Sequence, residues 1–144
     1  WHKEFAMWPN VKKLPDLPYS GDKRQDEPFH WGTGPFAGVV ATSFKPKAIF
    51  MLGFDLYPLP GADRKKDNNI YRDSKGYTYI KRPVDTSYWI HQFGKLFEHS
   101  DCRWIIVNRE DWKMPKEWSG YKNVFQETYE GMAKFVQKQL TKSK

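Results

Sequence analysis

The chain has 144 residues, of which 39% are hydrophobic and 17% aromatic, and it carries a net charge of +7. The length is that of one domain and the aromatic content excludes a disordered chain, so we expect residues 1–144 to form one unit with a core of Trp, Phe and Tyr. The positive charge favours an anionic partner, which leaves a nucleotide, a nucleic acid, an acidic glycan and a membrane surface as classes.

The chain has a single cysteine, Cys102, which limits the disulfides and metal sites that it can form. One cysteine cannot form an internal disulfide or a cysteine-based zinc site, and we expect it to be a small packed residue. The sequence has no apolar run long enough to span a membrane and no signal peptide. We therefore expect a soluble, cytoplasmic protein. Because the chain opens at Trp1 rather than at methionine, we also expect a segment upstream of it.

The first predicted helix follows an irregular lead-in. Four prolines interrupt residues 1–29, which we expect to form turns and short extended pieces. A helix then begins after the Gly32–Gly34 turn, with Pro35 in its first turn, where proline is tolerated, and ends before Pro46. Its predicted apolar face consists of Phe36, Val39, Val40 and Phe44.

Two apolar runs predict buried strands, at residues 47–54 (KAIFMLGF) and 103–108 (RWIIVN). The first is a continuous apolar run, which is typical of a strand covered on both faces. Between them, the polar segment 56–84 predicts a surface connection. It contains most of the charge excess, because residues 61–84 have seven basic side chains and three acidic ones.

A second helix is predicted over 85–98, with Asp85 or Thr86 as its cap. Its apolar face consists of Trp89, Ile90, Phe93, Leu96 and Phe97, and its polar face of Gln92, Lys95 and Glu98. After the second strand, a connection over 111–119 leads to the segment 123–126 (NVFQ) and then to a C-terminal helix. The apolar face of that helix consists of Tyr129, Met132, Ala133, Val136 and Leu140.

The order of these elements predicts an α/β fold, with helices on the faces of a mainly parallel sheet. In such sheets a ligand lies beyond the carboxyl ends of the strands, in the crevice where the strand order switches. This rule selects three candidates: the Gly32–Gly34 turn, Asp55 at the end of the first strand and Asn108 at the end of the second.

The Gly32-Thr33-Gly34 turn carries the main functional hypothesis. A helix N-terminus has unpaired N–H groups and a partial positive charge, and flanking glycines let a phosphate approach closely. Thr33 would add its hydroxyl. The same pattern is as often only a tight turn with a capping hydroxyl, so both interpretations stay open.

Residues 32–58 (GTGPFAGVVATSFKPKAIFMLGFDLYP) resemble a segment of bacterial sialyltransferases, and they are also similar to MptE-like proteins. The shared features are a Ser/Thr-Gly turn, a helix, an apolar strand and a Gly-[Ile/Phe]-Asp-[Phe/Leu]-Tyr ending. The likeness continues more weakly through 85–108 and 123–137, and it covers about residues 30–140. It implies a Rossmann-like domain of which this chain is the C-terminal part, since the first half of the family fold has no counterpart here.

The resemblance implies transfer of a sugar from a CMP-sugar to the hydroxyl of a glycan or small acceptor, without a metal. Gly32, Thr33 and Gly34 match the turn that contacts the nucleotide, and Tyr57 matches a tyrosine that stabilises the departing phosphate. A second tyrosine of the family has Tyr71 as an unaligned stand-in.

Two further residues are candidates for this site. Asp55, at a strand end, could hold a ribose hydroxyl or a metal, or it could cap a turn. The family's general-base histidine precedes the helix predicted over 85–98, where this chain has no histidine. His91 within that helix is the candidate base, with a packed, hydrogen-bonded histidine as the alternative.

Two other functions stay open. An MptE-like enzyme would transfer pyrophosphate from ATP with Mg²⁺ and would need carboxylates, of which Asp55 is the one well placed. A non-catalytic binder would hold a nucleotide or nucleic acid with the basic segment and the tyrosines at 71, 77 and 79. The sequence leaves open whether the chain is an active enzyme and which oligomer it forms.

Overall fold

The computed structural model describes residues 16–19, 31–56 and 86–142. Tyr57, Tyr71 and the basic segment lie outside these ranges, as does most of the lead-in. The described helices are α1 (Thr33–Ser43), α2 (Ser87–Glu98) and α3 (Tyr129–Lys142), and a short 3₁₀ helix spans Lys116–Trp118. The described strands are β1 (Ala48–Leu52), β2 (Arg103–Asn108) and β3 (Val124–Thr128).

The three described strands form a parallel sheet in the order β1-β2-β3, which confirms the predicted α/β fold. The register runs from Ala48↔Arg103 to Leu52↔Val107 between β1 and β2. Among the described helices, none is long and apolar enough to cross a membrane.

Strand β3 is an addition to the predicted elements. It pairs with β2 from Trp104↔Val124 to Asn108↔Thr128. Val124 packs against the core, whereas Phe125, Gln126 and Glu127 are exposed. Among the described strands β3 pairs on one side only, and three of its five residues are exposed, so it leaves no continuous apolar run in the sequence.

One face of the sheet carries the core. Met51 of β1 and Trp104 and Ile106 of β2 are buried there among the side chains of α1 and α2. The ring of Phe97 lies 5.2 Å from that of Trp104 and 5.1 Å from that of Trp118, both edge-on. Such aromatic pairs contribute roughly 0.5–1.5 kcal/mol each beyond the area they bury. The predicted aromatic core is confirmed.

Helices α1 and α2 pack side by side and run in the same direction. Gly32 lies against Trp89, and Gly38, farther along α1, lies against Leu96, farther along α2. A Cβ added at Gly38 would be 2.7 Å from Leu96 Cδ1. The helices therefore approach closely because position 38 has no side chain.

The buried face of α1 is narrower than the sequence predicts. Phe36 and Val39 are buried, but Val40 is 40% and Phe44 79% exposed, so the prediction is wrong for these two residues. The reason is that α1 meets α2 through the side that carries Gly38, and the helix ends one residue before Phe44.

Gln92 reverses the polarity predicted for α2. The sequence pattern puts it on the polar face, but its side chain is completely buried. Its Oε1 accepts a hydrogen bond from the N–H of Gly32 at 3.1 Å, which satisfies both groups. Trp89, predicted on the apolar face, is 38% exposed at the start of the helix.

The second face of the sheet is only partly covered. Helix α3 crosses it, and the ring of Phe135 lies 5.7 Å from that of Phe50 in β1. Leu52 and Phe125 remain 48% and 46% exposed. The prediction that the strand at 47–54 is covered on both faces is therefore wrong, because α3 contacts this face through a different side from its main apolar stripe.

Candidate functional site

The carboxyl ends of the parallel strands lie at one edge of the sheet, and two helices begin there. A connection of four residues joins α1 to β1, so α1 runs back along the strand and starts beside the strand's end. Gly34 confirms this, because a Cβ there would be 2.7 Å from Phe54 Cε1, just past β1. Since α2 is parallel to α1, its first turn lies at the same edge, which we call the carboxyl edge.

The Gly32–Gly34 turn begins α1 without help from a side chain. Gly32 is the N-cap, with an extended backbone (φ −64°, ψ 153°) and no side-chain cap, and its carbonyl accepts the N–H of Phe36 at 3.0 Å. Pro35 has no N–H, so the donors of the first turn belong to Thr33 and Gly34. Thr33 is exposed at the carboxyl edge.

Both glycines of this turn are also needed for packing. A Cβ at Gly32 would be 2.6 Å from Nε1 of Trp89, and one at Gly34 would overlap the ring of Phe54. Close ring contacts therefore explain the Gly-x-Gly pattern whether or not a ligand binds. The hydrogen bond from the N–H of Gly32 to Gln92 uses one further donor of the turn for structure.

The end of β1 turns sharply through two left-handed residues. Gly53 has φ +76°, which suits glycine, and Leu56 has φ +59°, which a leucine rarely adopts. A left-handed leucine costs roughly 1–2 kcal/mol, and such strain persists only where the surroundings hold it. Leu56 is buried at 8% exposure, so its burial offsets the cost.

Two side chains, one from the last residue of β2 and one from the segment after it, hold this turn in place. Asn108, which is 1% exposed, donates its Nδ2 to the carbonyl of Phe54 at 3.4 Å and accepts the N–H of Arg109 at 2.9 Å. Trp112 donates its Nε1 to the carbonyl of Asp55 at 2.6 Å. Asn108, a candidate ligand residue in the sequence, thus has a structural role at the carboxyl edge.

The other sequence candidates have mixed positions. Asp55 is half-buried and directly follows Phe54, whose ring lies against Gly34. Tyr57 lies just outside the described residues. His91 is exposed on the second turn of α2, and α2 meets the turn through Trp89 and Gln92.

Sequence reasoning missed Trp112 and misplaced Gln92 and Trp89. Each contacts a residue about 60 positions away in the chain, and the spacing of neighbouring residues cannot predict such a partner. Trp112 lies in an irregular connection, and Gln92 has the position of a solvent-facing residue in the helical pattern.

The electrostatics of the carboxyl edge favour an anion. Neither α1 nor α2 has an acidic residue in its first turn, and neither has a side-chain cap. Each helix N-terminus carries about half a positive charge, and the two lie side by side. Within the described ranges, no group of three or more His, Cys, Asp or Glu side chains could hold a metal ion. Backbone N–H groups at a helix N-terminus are donors suited to a phosphate or carboxylate.

Comparisons of the chain with protein-family models, with curated proteins and with solved structures find no match. The likeness of residues 32–58 to sialyltransferases therefore stays a prediction.

Proposed function

We propose that the chain binds a nucleotide sugar of the CMP-sugar type at the carboxyl edge and transfers the sugar to a hydroxyl group. The observation that carries the proposal is the pair of neighbouring helix N-termini, which combine backbone donors with partial positive charge and have no carboxylate in either first turn. The net charge of +7 adds long-range attraction for an anionic donor.

A Rossmann-like topology is part of the same proposal. One half of a Rossmann sheet contains three consecutive parallel strands, as the order β1-β2-β3 does. The other half of the sheet would then pair with β1. Helix α3 leads from β3 across the sheet towards β1, as the contact between Phe135 and Phe50 indicates. The chain would then correspond to the C-terminal part of the sialyltransferase-like fold.

In the proposed reaction, the N–H groups of Thr33 and Gly34 and the hydroxyl of Thr33 donate to the phosphate. The acceptor oxygen forms a bond to the anomeric carbon while the bond from that carbon to the phosphate oxygen breaks. CMP leaves, and the acceptor proton passes to a base. The helix N-termini stabilise the charge that grows on the departing phosphate.

Three residues have proposed roles around this centre. Tyr57 would donate its phenolic hydroxyl to the departing phosphate, Asp55 would accept from a ribose hydroxyl, and His91 would be the base. His91→Gln tests the last role, because it should lower kcat for transfer while leaving the affinity for CMP within about twofold.

A thermal-shift screen of the full chain tests the proposal. CMP, CDP, UDP, GDP and ATP are each added with and without Mg²⁺. The proposal predicts that cytidine nucleotides raise Tm without the metal. A rise with ATP that needs Mg²⁺ would instead favour the MptE-like alternative, and no rise with any nucleotide would contradict nucleotide binding.

A further inference from the structure

Helix α3 carries an apolar stripe that is exposed in the described structure. Its members are Tyr129, Ala133, Val136 and Leu140, which follow one another at intervals of four, three and four residues. Tyr129, Val136 and Leu140 are 45%, 40% and 65% exposed, and Ala133 is exposed as well. We call these four residues the α3 stripe.

The α3 stripe is separate from the ring contact that α3 makes with β1. Phe135 makes that contact, and its ring lies 5.7 Å from that of Phe50. Phe135 projects roughly 100° around the helix from Val136, since successive helical residues are about 100° apart. The stripe therefore points to the side and away from β1, and its members stay exposed although α3 lies on the sheet.

The spacing of the stripe is that of a helix seam. Apolar residues at alternating intervals of three and four lie along one line of an α-helix, and two such lines bury each other in a helix pair. In an antiparallel pair centred between Ala133 and Val136, each Ala133 faces Val136 of the second copy. Each Tyr129 then faces Leu140 of the second copy. The small alanine near the centre lets the two helices approach closely.

The charges of α3 indicate which partner the stripe fits. The residues that flank it are Glu130, Met132, Gln137 and Gln139, of which one is charged. Glu130 forms an ion pair with Lys134, whose Nζ lies 2.7 Å from Glu130 Oε1, and the positive charge of the lysine balances that of the carboxylate. Lys138 lies on the opposite side of the helix. A membrane or nucleic acid would need lysines beside the apolar residues, whereas two identical copies need flanks without like charges.

We propose that α3 pairs antiparallel with α3 of a second copy through the α3 stripe, so that the protein forms a symmetric dimer. The stripe is self-complementary, because Tyr129 faces Leu140 of the second copy and Ala133 faces Val136 of the second copy. The net charge of +7 repels the two copies at long range, so the dimer tightens as salt screens that repulsion. Electrostatic binding to nucleic acid has the opposite salt dependence.

Sedimentation equilibrium of the full chain tests the dimer. The loading range is roughly 1 µM to 1 mM, because an interface of one helix pair is small and dissociates in that range. Val136→Lys and Val136→Glu should each weaken the association about 30-fold or more by burying a charge. Thr141→Lys adds the same charge as Val136→Lys on the polar side of α3 and should change it less than about threefold. Circular dichroism of each variant checks folding.

Mixing the two Val136 variants provides the sharpest readout. In the proposed pair, residue 136 of each copy lies close to that of the other, so the mixture of lysine and glutamate variants should associate where each alone does not. No recovery on mixing overturns the proposed seam, as does association that persists in both variants. A wild-type chain that stays monomeric throughout overturns the dimer. In that case amide exchange of residues 129–140, with and without anionic vesicles, shows whether the chain's own residues or a membrane cover the stripe.

Discussion

Placing a carboxylate at the start of α1 should stabilise the free protein and weaken its binding of a nucleotide. Thr33 is exposed in the first turn, where a helix favours negative charge, so Thr33→Glu should stabilise the fold by about 0.3–1 kcal/mol. For a chain of this length, that raises Tm by roughly 1–3 °C. A phosphate bound to the same turn would meet the carboxylate at about 4–5 Å, which costs roughly 1–3 kcal/mol at effective dielectric constants between those of water and a protein surface. Affinity should therefore fall about 5- to 150-fold.

Two assays separate these effects. Thermal unfolding of the free protein measures the first, and isothermal titration with CMP measures the second. Ala37→Glu is the matched control, because it adds the same charge one turn farther along the exposed side of α1. It should leave both quantities nearly unchanged. A lower Tm for Thr33→Glu would contradict the stabilisation expected from a carboxylate in the first turn of α1, and an unchanged affinity for CMP would refute the phosphate site at Thr33.

Three further predictions concern the packing that builds the carboxyl edge. Gln92→Leu leaves the N–H of Gly32 without its acceptor and should destabilise the fold by about 1–3 kcal/mol in urea unfolding; a loss under about 0.5 kcal/mol would contradict that role. Gly38→Ala should destabilise the fold by about 1–3 kcal/mol despite the better helix propensity of alanine. Gly120→Ala is the control and should be nearly neutral, because a Cβ there meets open space. Equal values for the two variants would show that the close approach of α1 and α2 at Gly38 is unimportant. Trp112→Phe removes the donor to the β1 turn and should speed amide exchange there, with unchanged exchange as the contrary result.

Local sequence patterns determined much of the architecture, because they predict where helices and strands form. Proline at the start of α1, the apolar run of β1 and the RWIIVN run of β2 each place an element within a few residues of its observed bounds. These features depend on backbone propensity and on the period of the hydrophobic pattern, which neighbouring residues set by themselves. The alternation of the elements then determined the α/β fold and the edge at which helix N-termini gather.

Tertiary contacts decided the details of the site. The helical pattern cannot show that Gln92 is buried, because its partner is the N–H of Gly32, 60 residues away. The turn after β1 depends likewise on Trp112, 57 residues from Asp55. The glycines of the Gly32–Gly34 turn, which the sequence associates with a phosphate, are also dictated by rings from α2 and the β1 turn.

The exposure of helix faces was likewise a tertiary outcome. The pattern determined that α3 has one apolar stripe, since 3.6 residues per turn bring Tyr129, Val136 and Leu140 together. It could not determine what the stripe meets, because periodicity describes a helix and not its neighbour. In the structure it is Phe135 that contacts the sheet, through the ring of Phe50, and the stripe remains exposed.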